Sequence, residues 1–409
     1  MTQVPHMNRR AALAGLGLSV SFLARQAVAG DGQKKLITVV CRGGMDGLSV
    51  SPPVGDRDYK GLRQAIAVEE AVLTLDGTFG LHPSLAAVHA LAKSGQARIA
   101  PAIASPDRAR SHFEAQDVLE SGGSVVYGTT TGWLNRAVSA LARQGKIEAL
   151  SVGATAPLIL RGPAAVSSWS PGREVDVESR LPMLLQDLYR DDPVLGPALA
   201  RGLATETMAQ KAIEGMGDKA DQADMMMSGG GIAAYSKAGR DAAESLGTTV
   251  AGFMREPAGP QIAAISLDGF DTHANQGAAE GQLSGRLANL NALLKGLQSG
   301  LGPEWKNTVI VVATEFGRTA RINGTGGTDH GTASTAMLLG GSLKPGGIIG
   351  DWPTLKASAL FEGRDLAPTL DIRALFKGVL ADQMGLDRRV LDNEVFPDSA
   401  GIAALKGLV

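Results

Sequence analysis

The sequence predicts one large α/β domain on a doubly wound, mostly parallel sheet, behind a short export leader. Three observations predict it. Short runs nearly continuous in Val, Ile, Ala and Leu recur along the chain, as strands buried on both faces require. Amphipathic helical stretches alternate with them, the order that crossover connections demand. The 409 residues are 44% hydrophobic and 20% charged, a globular balance that supports a substantial core.

Taken in order, the elements begin with Asn8-Arg9-Arg10, which precedes the apolar, small-residue stretch Ala11 to Ala24. Ala27-Val28-Ala29 then offers a small-x-small cleavage site. Paired arginines ahead of a mildly hydrophobic segment read as a twin-arginine leader over residues 1–29. Its partner is the twin-arginine export machinery, and its destination the periplasm or the exterior. The segment is too short and too rich in Gly and Ala to span ~30 Å of hydrocarbon, so no stable membrane anchor is expected. Residues 30–409 form a single domain.

Strands are predicted at Leu36–Cys41, Ala97–Ile103, Ala149–Val152, Gln261–Leu267, Thr308–Thr314 and Ser334–Leu339. Helices are predicted at Pro83–Lys93, Thr131–Gln144 and Gly277–Gly300. The last keeps Leu283, Leu287, Leu290, Leu293, Leu294 and Leu297 on one stripe. About residues 183–256 show no strand pattern and read as a helical insertion, a lid over the site with a Gly-rich elbow. It holds Met225-Met226-Met227, whose neighbours on a helix point different ways, so core or loop filling is preferred to a metal-ligand set. Cys41 stands alone, so no internal disulfide forms, and its apolar run marks it as a buried strand thiol. A net charge of −2 without a long basic run excludes a nucleic-acid partner. Aromatic residues at 4% argue against stacking platforms.

Ligands in open α/β sheets bind outside the carboxyl ends of the strands, so polar clusters just after predicted strands carry the chemistry. Leu36–Cys41 runs into Arg42-Gly43-Gly44-Met45-Asp46-Gly47, where Asp46 is either a metal-reaching carboxylate or an ordinary Asp-Gly turn. Gln261–Leu267 ends in Asp268-Gly269-Phe270-Asp271-Thr272-His273. Asp271 and His273, two apart in an extended segment, point the same way, and carboxylate with imidazole suits zinc, manganese or iron. Thr308–Thr314 ends in Glu315-Phe316-Gly317-Arg318, with Glu315 at the site or simply paired to Arg318. A Gly-rich loop presents Asp329-His330 before Ser334–Leu339. Finally, Arg108-Ala109-Arg110-Ser111-His112-Phe113-Glu114 sets arginines beside a hydroxyl, which suits an anion. Ser111 is a candidate nucleophile with His112 as its partner, and also a capping box with Glu114.

These motifs together resemble the domain of unknown function 1501 family over nearly the whole exported chain. That family is similar in fold to the alkaline-phosphatase and sulfatase superfamily. The resemblance implies an alkaline-phosphatase-like sheet holding one or two divalent ions (zinc, manganese or calcium), with Asp46, Asp271, His273, Glu315, Asp329 and His330 ligating or orienting. It implies that Ser111 attacks, Arg110 clamps the anion and His112 assists, on a small phosphate or sulfate ester. Phe316 stands where the superfamily has a histidine, which weakens a second metal site. The alternative is a catalytically degenerate hydrolase fold serving as an envelope binding or assembly factor.

Overall fold

The computed structural model describes residues 32–145, 147–153, 156–171, 180–189, 192–213 and 236–409. The leader and the Met225–Gly231 segment lie outside the described residues. Among the described residues, the strands are β1 Lys35–Cys41, β2 Leu73–Thr74, β3 Gly80–Leu81, β4 Ala97–Ala104 and β5 Ala149–Val152. They continue with β6 Ser167–Trp169, β7 Ile262–Leu267, β8 Thr308–Ala313, β9 Ser334–Leu339 and β10 Leu370–Asp371. Strands β2 and β3 form a small antiparallel ribbon. The other eight make one sheet in the order β10-β4-β9-β8-β1-β7-β5-β6.

Every pairing in that sheet is parallel except the two made by β9, which runs antiparallel to both β4 and β8. Seven carboxyl ends therefore share one edge with the amino end of β9. Strand β1 lies near the middle, every residue buried, its register fixed by Leu36↔Ile262 on one side and Leu36↔Val309 on the other. Alternation divides its side chains between two cores. Ile37, Val39 and Cys41 face the layer holding Leu246, Val250, Leu287 and Leu290. Leu36 and Val40 face the layer holding Leu134, Val138, Leu375 and Phe376. That two-sided burial is why each long strand reads as an unbroken apolar run. Strand β4 is the irregular one. Pro101 cannot donate to the ladder, and the pairing with β9 shifts between Ala100 and Ile103, where Ala102 takes φ +55°.

The helix Lys237–Arg255 lies inside the predicted insertion, and it belongs to a core layer rather than to a lid. It packs on the helix Gln282–Leu301 with Leu246, Val250 and Met254 fully buried. Two glycines allow that approach: a Cβ on Gly247 would lie 2.3 Å from the Leu293 carbonyl, and one on Gly296 would lie 2.1 Å from that of Glu244. Among the described residues no helix is long and apolar enough to cross a membrane.

Candidate active site

Five loops meet at the edge carrying the seven carboxyl ends: those after β1, β4, β7 and β8, and the one leading into β9. His330 reaches this edge only because β9 is antiparallel, which places the loop before it beside the loops that follow its neighbours.

Asp271 is the hub. Its Oδ1 lies 3.0 Å from His273 Nε2, 3.2 Å from His330 Nε2 and 2.6 Å from Arg318 Nη1. The two histidines face each other with their Nε2 atoms 3.0 Å apart. Asp271 Oδ2 stands 3.3 Å from His112 Nε2, and His112, Asp271 and His330 together offer ligand atoms all within 4.8 Å of one another. Burial opposes ionisation of Asp271, but the hydrogen bonds from His330 and Arg318 and the Arg318 charge hold it well below the usual carboxylate range.

Second-layer contacts orient these rings. His330 Nδ1 bonds the Arg110 carbonyl at 2.8 Å. His273 Nδ1 is 3.4 Å from Asp329 Oδ1, which also accepts from Asn323 Nδ2 at 3.1 Å. His112 Nδ1 is 2.8 Å from Glu315 Oε1, a bond that raises the imidazole's pKa against the burial that lowers it. Glu315 is completely buried and accepts from the Gly43 N–H at 2.8 Å and from Thr314 Oγ1 at 2.9 Å as well. Burial pushes its pKa up, and these bonds bring it net below the ordinary value.

Three expected roles are corrected. Asp46 does not stand open to an ion. It is fully buried, and its Oδ2 takes the Arg63 guanidinium, Ser49 Oγ at 2.8 Å and Gln276 Nε2 at 2.7 Å. Gln276 Oε1 accepts in turn from Thr272 and Thr328, and Arg318 Nε donates to Thr328, so a buried polar chain joins Asp46 to the hub. Arg110 does not present its guanidinium to the cluster as an anion clamp. Its Nε bonds buried Asp365 at 2.8 Å and its Nη2 bonds Glu362 at 2.5 Å. Glu315 is not held in an ion pair with Arg318, which turns to Asp271 instead and leaves Glu315 to steady His112.

Ser111 is the N-cap of the helix His112–Ser121, yet its hydroxyl makes no capping bond, so the capping box does not form. It sits between Arg110, whose carbonyl holds His330, and His112, whose ring reaches Asp271. Residues missed from sequence are Arg63, Gln276 and Asn323. The first lies on a short helix, Tyr59–Arg63, where nothing in the local sequence singles it out as the partner of Asp46. The other two lie just outside the segments singled out, Gln276 after His273 and Asn323 before the Gly-rich loop, and only their partners give them meaning.

Two imidazole nitrogens facing each other at 3.0 Å require a proton or a cation between them. In tetrahedral coordination at ~2.0–2.1 Å, donor atoms lie about 3.3 Å apart. The spacing of His273 Nε2, His330 Nε2 and Asp271 Oδ1 fits such an ion, and a nitrogen-rich donor set suits zinc or manganese better than calcium.

The fold and this edge define a class: an α/β protein with an acid–imidazole cluster where parallel strands end. Residues 33–395 match the family model described as "Protein of unknown function (DUF1501)", and the chain belongs to that family. No curated protein matches the sequence. Among solved structures the chain is similar to Ps i-CgsB, at 12% identity, covering 91% of this chain and 77% of that one, with a TM-score of 0.39. It is similar to the phosphonate monoester hydrolase SpPMH from Silicibacter pomeroyi at 13% identity, 91% and 76% coverage and a TM-score of 0.38. For BT1596, a 2-O GAG sulfatase, the figures are 12%, 91%, 73% and 0.35. Likenesses this distant leave the chemistry to the residues of the site.

Proposed function

We propose that this is an exported, metal-dependent hydrolase of phosphate or sulfate esters that uses a single divalent ion. The observation that carries the reading is the convergence of His273, His330 and both oxygens of Asp271, with His112 and Ser111 beside them. Asp271, His273 and His330 would hold the ion. When bound, it supplies a Lewis acid for the ester oxygen. Among the described residues a second ion has no place at this edge, because Asp46 is already neutralised by Arg63 and Glu315 is committed to His112.

The chain's own groups divide the remaining work. Ser111 presents a hydroxyl uncommitted among the described residues at a helix start, where developing negative charge is favoured. His112, held by Glu315, is placed to take or return a proton at Nε2. Asp329 and Asn323 fix the His273 ring, as the Arg110 carbonyl fixes His330, so that both keep their Nε2 atoms inward. The twin-arginine leader supports delivery to the periplasm or the exterior after folding.

The test combines metal analysis with assays on aryl phosphates and aryl sulfates. Wild type is expected to retain about one equivalent of zinc or manganese and to hydrolyse one ester class. Asp271→Ala is expected to lose both metal and activity, and Ser111→Ala to lose activity while keeping metal. A folded wild-type protein that binds no metal and cleaves neither ester overturns the enzymatic reading and favours a binding or assembly role.

A further inference from the structure

A cavity of about 490 Å³ adjoins the Asp329 loop. Its walls come from residues 57–62, 319–329 and 355–364, and Asp329 and Asn323 belong both to this cavity and to the support of His273. Three guanidinium groups line it: Arg57, Arg321 and Arg364. The acids are Asp58, 3.8 Å from Arg57, and Asp329. Three arginines against two carboxylates leave the lining with one formal positive charge in excess.

The arginines differ in commitment. Arg364 bonds the His330 carbonyl at 2.6 Å and stands 3.6 Å from buried Asp365, which fixes one guanidinium directly beside the cluster. Arg321 is exposed and makes no ion pair among the described residues. Like charges gathered in a hollow repel one another and focus a positive potential into it, a cost that an anionic ligand relieves. Guanidinium forks match carboxylate, sulfate and phosphate oxygens two at a time. Leu62, Ile322 and Leu355 supply an apolar wall, which suits the body of a ring.

Resting on the single-ion hydrolase reading, we infer that this cavity is a second anion subsite: the substrate is a compact ring that carries another anionic group besides the ester. The ester lies at the histidine pair, the second anion meets Arg321 and Arg57, and Arg364 spans the boundary between the two. Selectivity for polyanionic esters over simple aryl esters follows from this pairing.

Non-hydrolysable probes separate the two claims. Benzylphosphonate carries one anion, and 3- and 4-carboxybenzylphosphonate add a second at two reaches. Calorimetric titration of the metal-loaded wild-type protein is expected to show one carboxylated isomer binding at least about tenfold more tightly than benzylphosphonate, as a charge-assisted bidentate contact provides. Arg321→Ala is expected to reduce that advantage to about threefold or less while leaving benzylphosphonate affinity unchanged. Arg57→Ala, also at an exposed position, is expected to act in the same direction. If neither isomer outbinds benzylphosphonate, or if the advantage survives both substitutions, the subsite is refuted and the hydrolase reading stands. If benzylphosphonate fails to bind while a carboxylated isomer binds in an Arg321-dependent way, the subsite stands and the ester site is wrong. Failure of all three probes to bind removes both.

Discussion

At the scale of single residues, the site is decided by which cation answers each carboxylate. Asp46 and Arg63 are both fully buried and joined side chain to side chain. Removing one partner of a buried pair leaves an uncompensated charge and typically costs 3–5 kcal/mol. Arg63→Met is therefore expected to lower unfolding free energy by about that amount in urea, because Asp46 keeps only Ser49 and Gln276 as donors. The double change with Asp46→Asn is expected to recover much of the loss. Strictly additive penalties in the double variant would show that the two side chains do not act as a pair. This pair also marks where sequence reasoning stopped. The pattern Gly44-Met45-Asp46-Gly47 shows a carboxylate with room around it, but nothing in it distinguishes a metal from a guanidinium seventeen positions later in sequence. Asp271 and His273 were legible because a two-residue spacing in extended backbone fixes side-chain direction locally. Arg110 was misread because its acidic partners, Glu362 and Asp365, come from far along the chain.

At the scale of elements, long strands announced themselves and short ones did not. Strands β1, β7, β8 and β9 are buried over nearly their whole length, so composition alone located them to within a residue or so. Strands β6 and β10, at three and two residues, carry too few positions for any pattern. The reversed direction of β9 was also illegible, since an apolar run reads the same either way. Yet that reversal brings the Glu315–Arg318 turn against the His330 loop, where Arg318 and His330 pair across an antiparallel bridge. Gly317 lies at the tightest point: a Cβ there would stand 1.7 Å from the Ala333 carbonyl oxygen. Gly317→Ala is expected to force the loops apart, costing about 1–3 kcal/mol or more and weakening metal retention as Arg318 and His330 shift. Gly324→Ala, with nothing within 4 Å of its Cβ, is the matched control and is expected to change neither quantity. Equal behaviour of the two variants in thermal melts and metal analysis would show that loop contact does not set the site.

At the scale of the whole molecule, the two core layers need closing at the end of the chain as well as at the site. The helix Ile372–Met384 packs on the sheet, and the segment after it folds back so that Phe396 stacks near Trp133, whose ring centroid is 5.4 Å away. One buried cation ties this return together. Lys377 is fully buried, and its Nζ meets Asp392 Oδ1 at 2.5 Å, the Ser399 carbonyl at 2.7 Å and the Ile402 carbonyl at 3.1 Å. Burial raises the pKa of Asp392, but its bonds to Lys377 and Arg388 bring it below the ordinary value of 3.8. A carboxyl whose folded pKa is depressed binds its proton more readily when unfolded. The stability it confers is therefore complete above the unfolded value and lost as pH falls below about 4 through the folded one. Asp392→Asn should accordingly cost about 3 kcal/mol at pH 7, at the low end for a broken buried pair because Lys377 keeps two carbonyl acceptors. The gap between variant and wild type should narrow as the pH is taken from 5 towards 3, since wild type alone loses the interaction. Urea midpoints measured across that range check both the size and the sign, and a gap that stays constant or widens in acid would mean that Asp392 does not carry its charge against Lys377 in the folded protein.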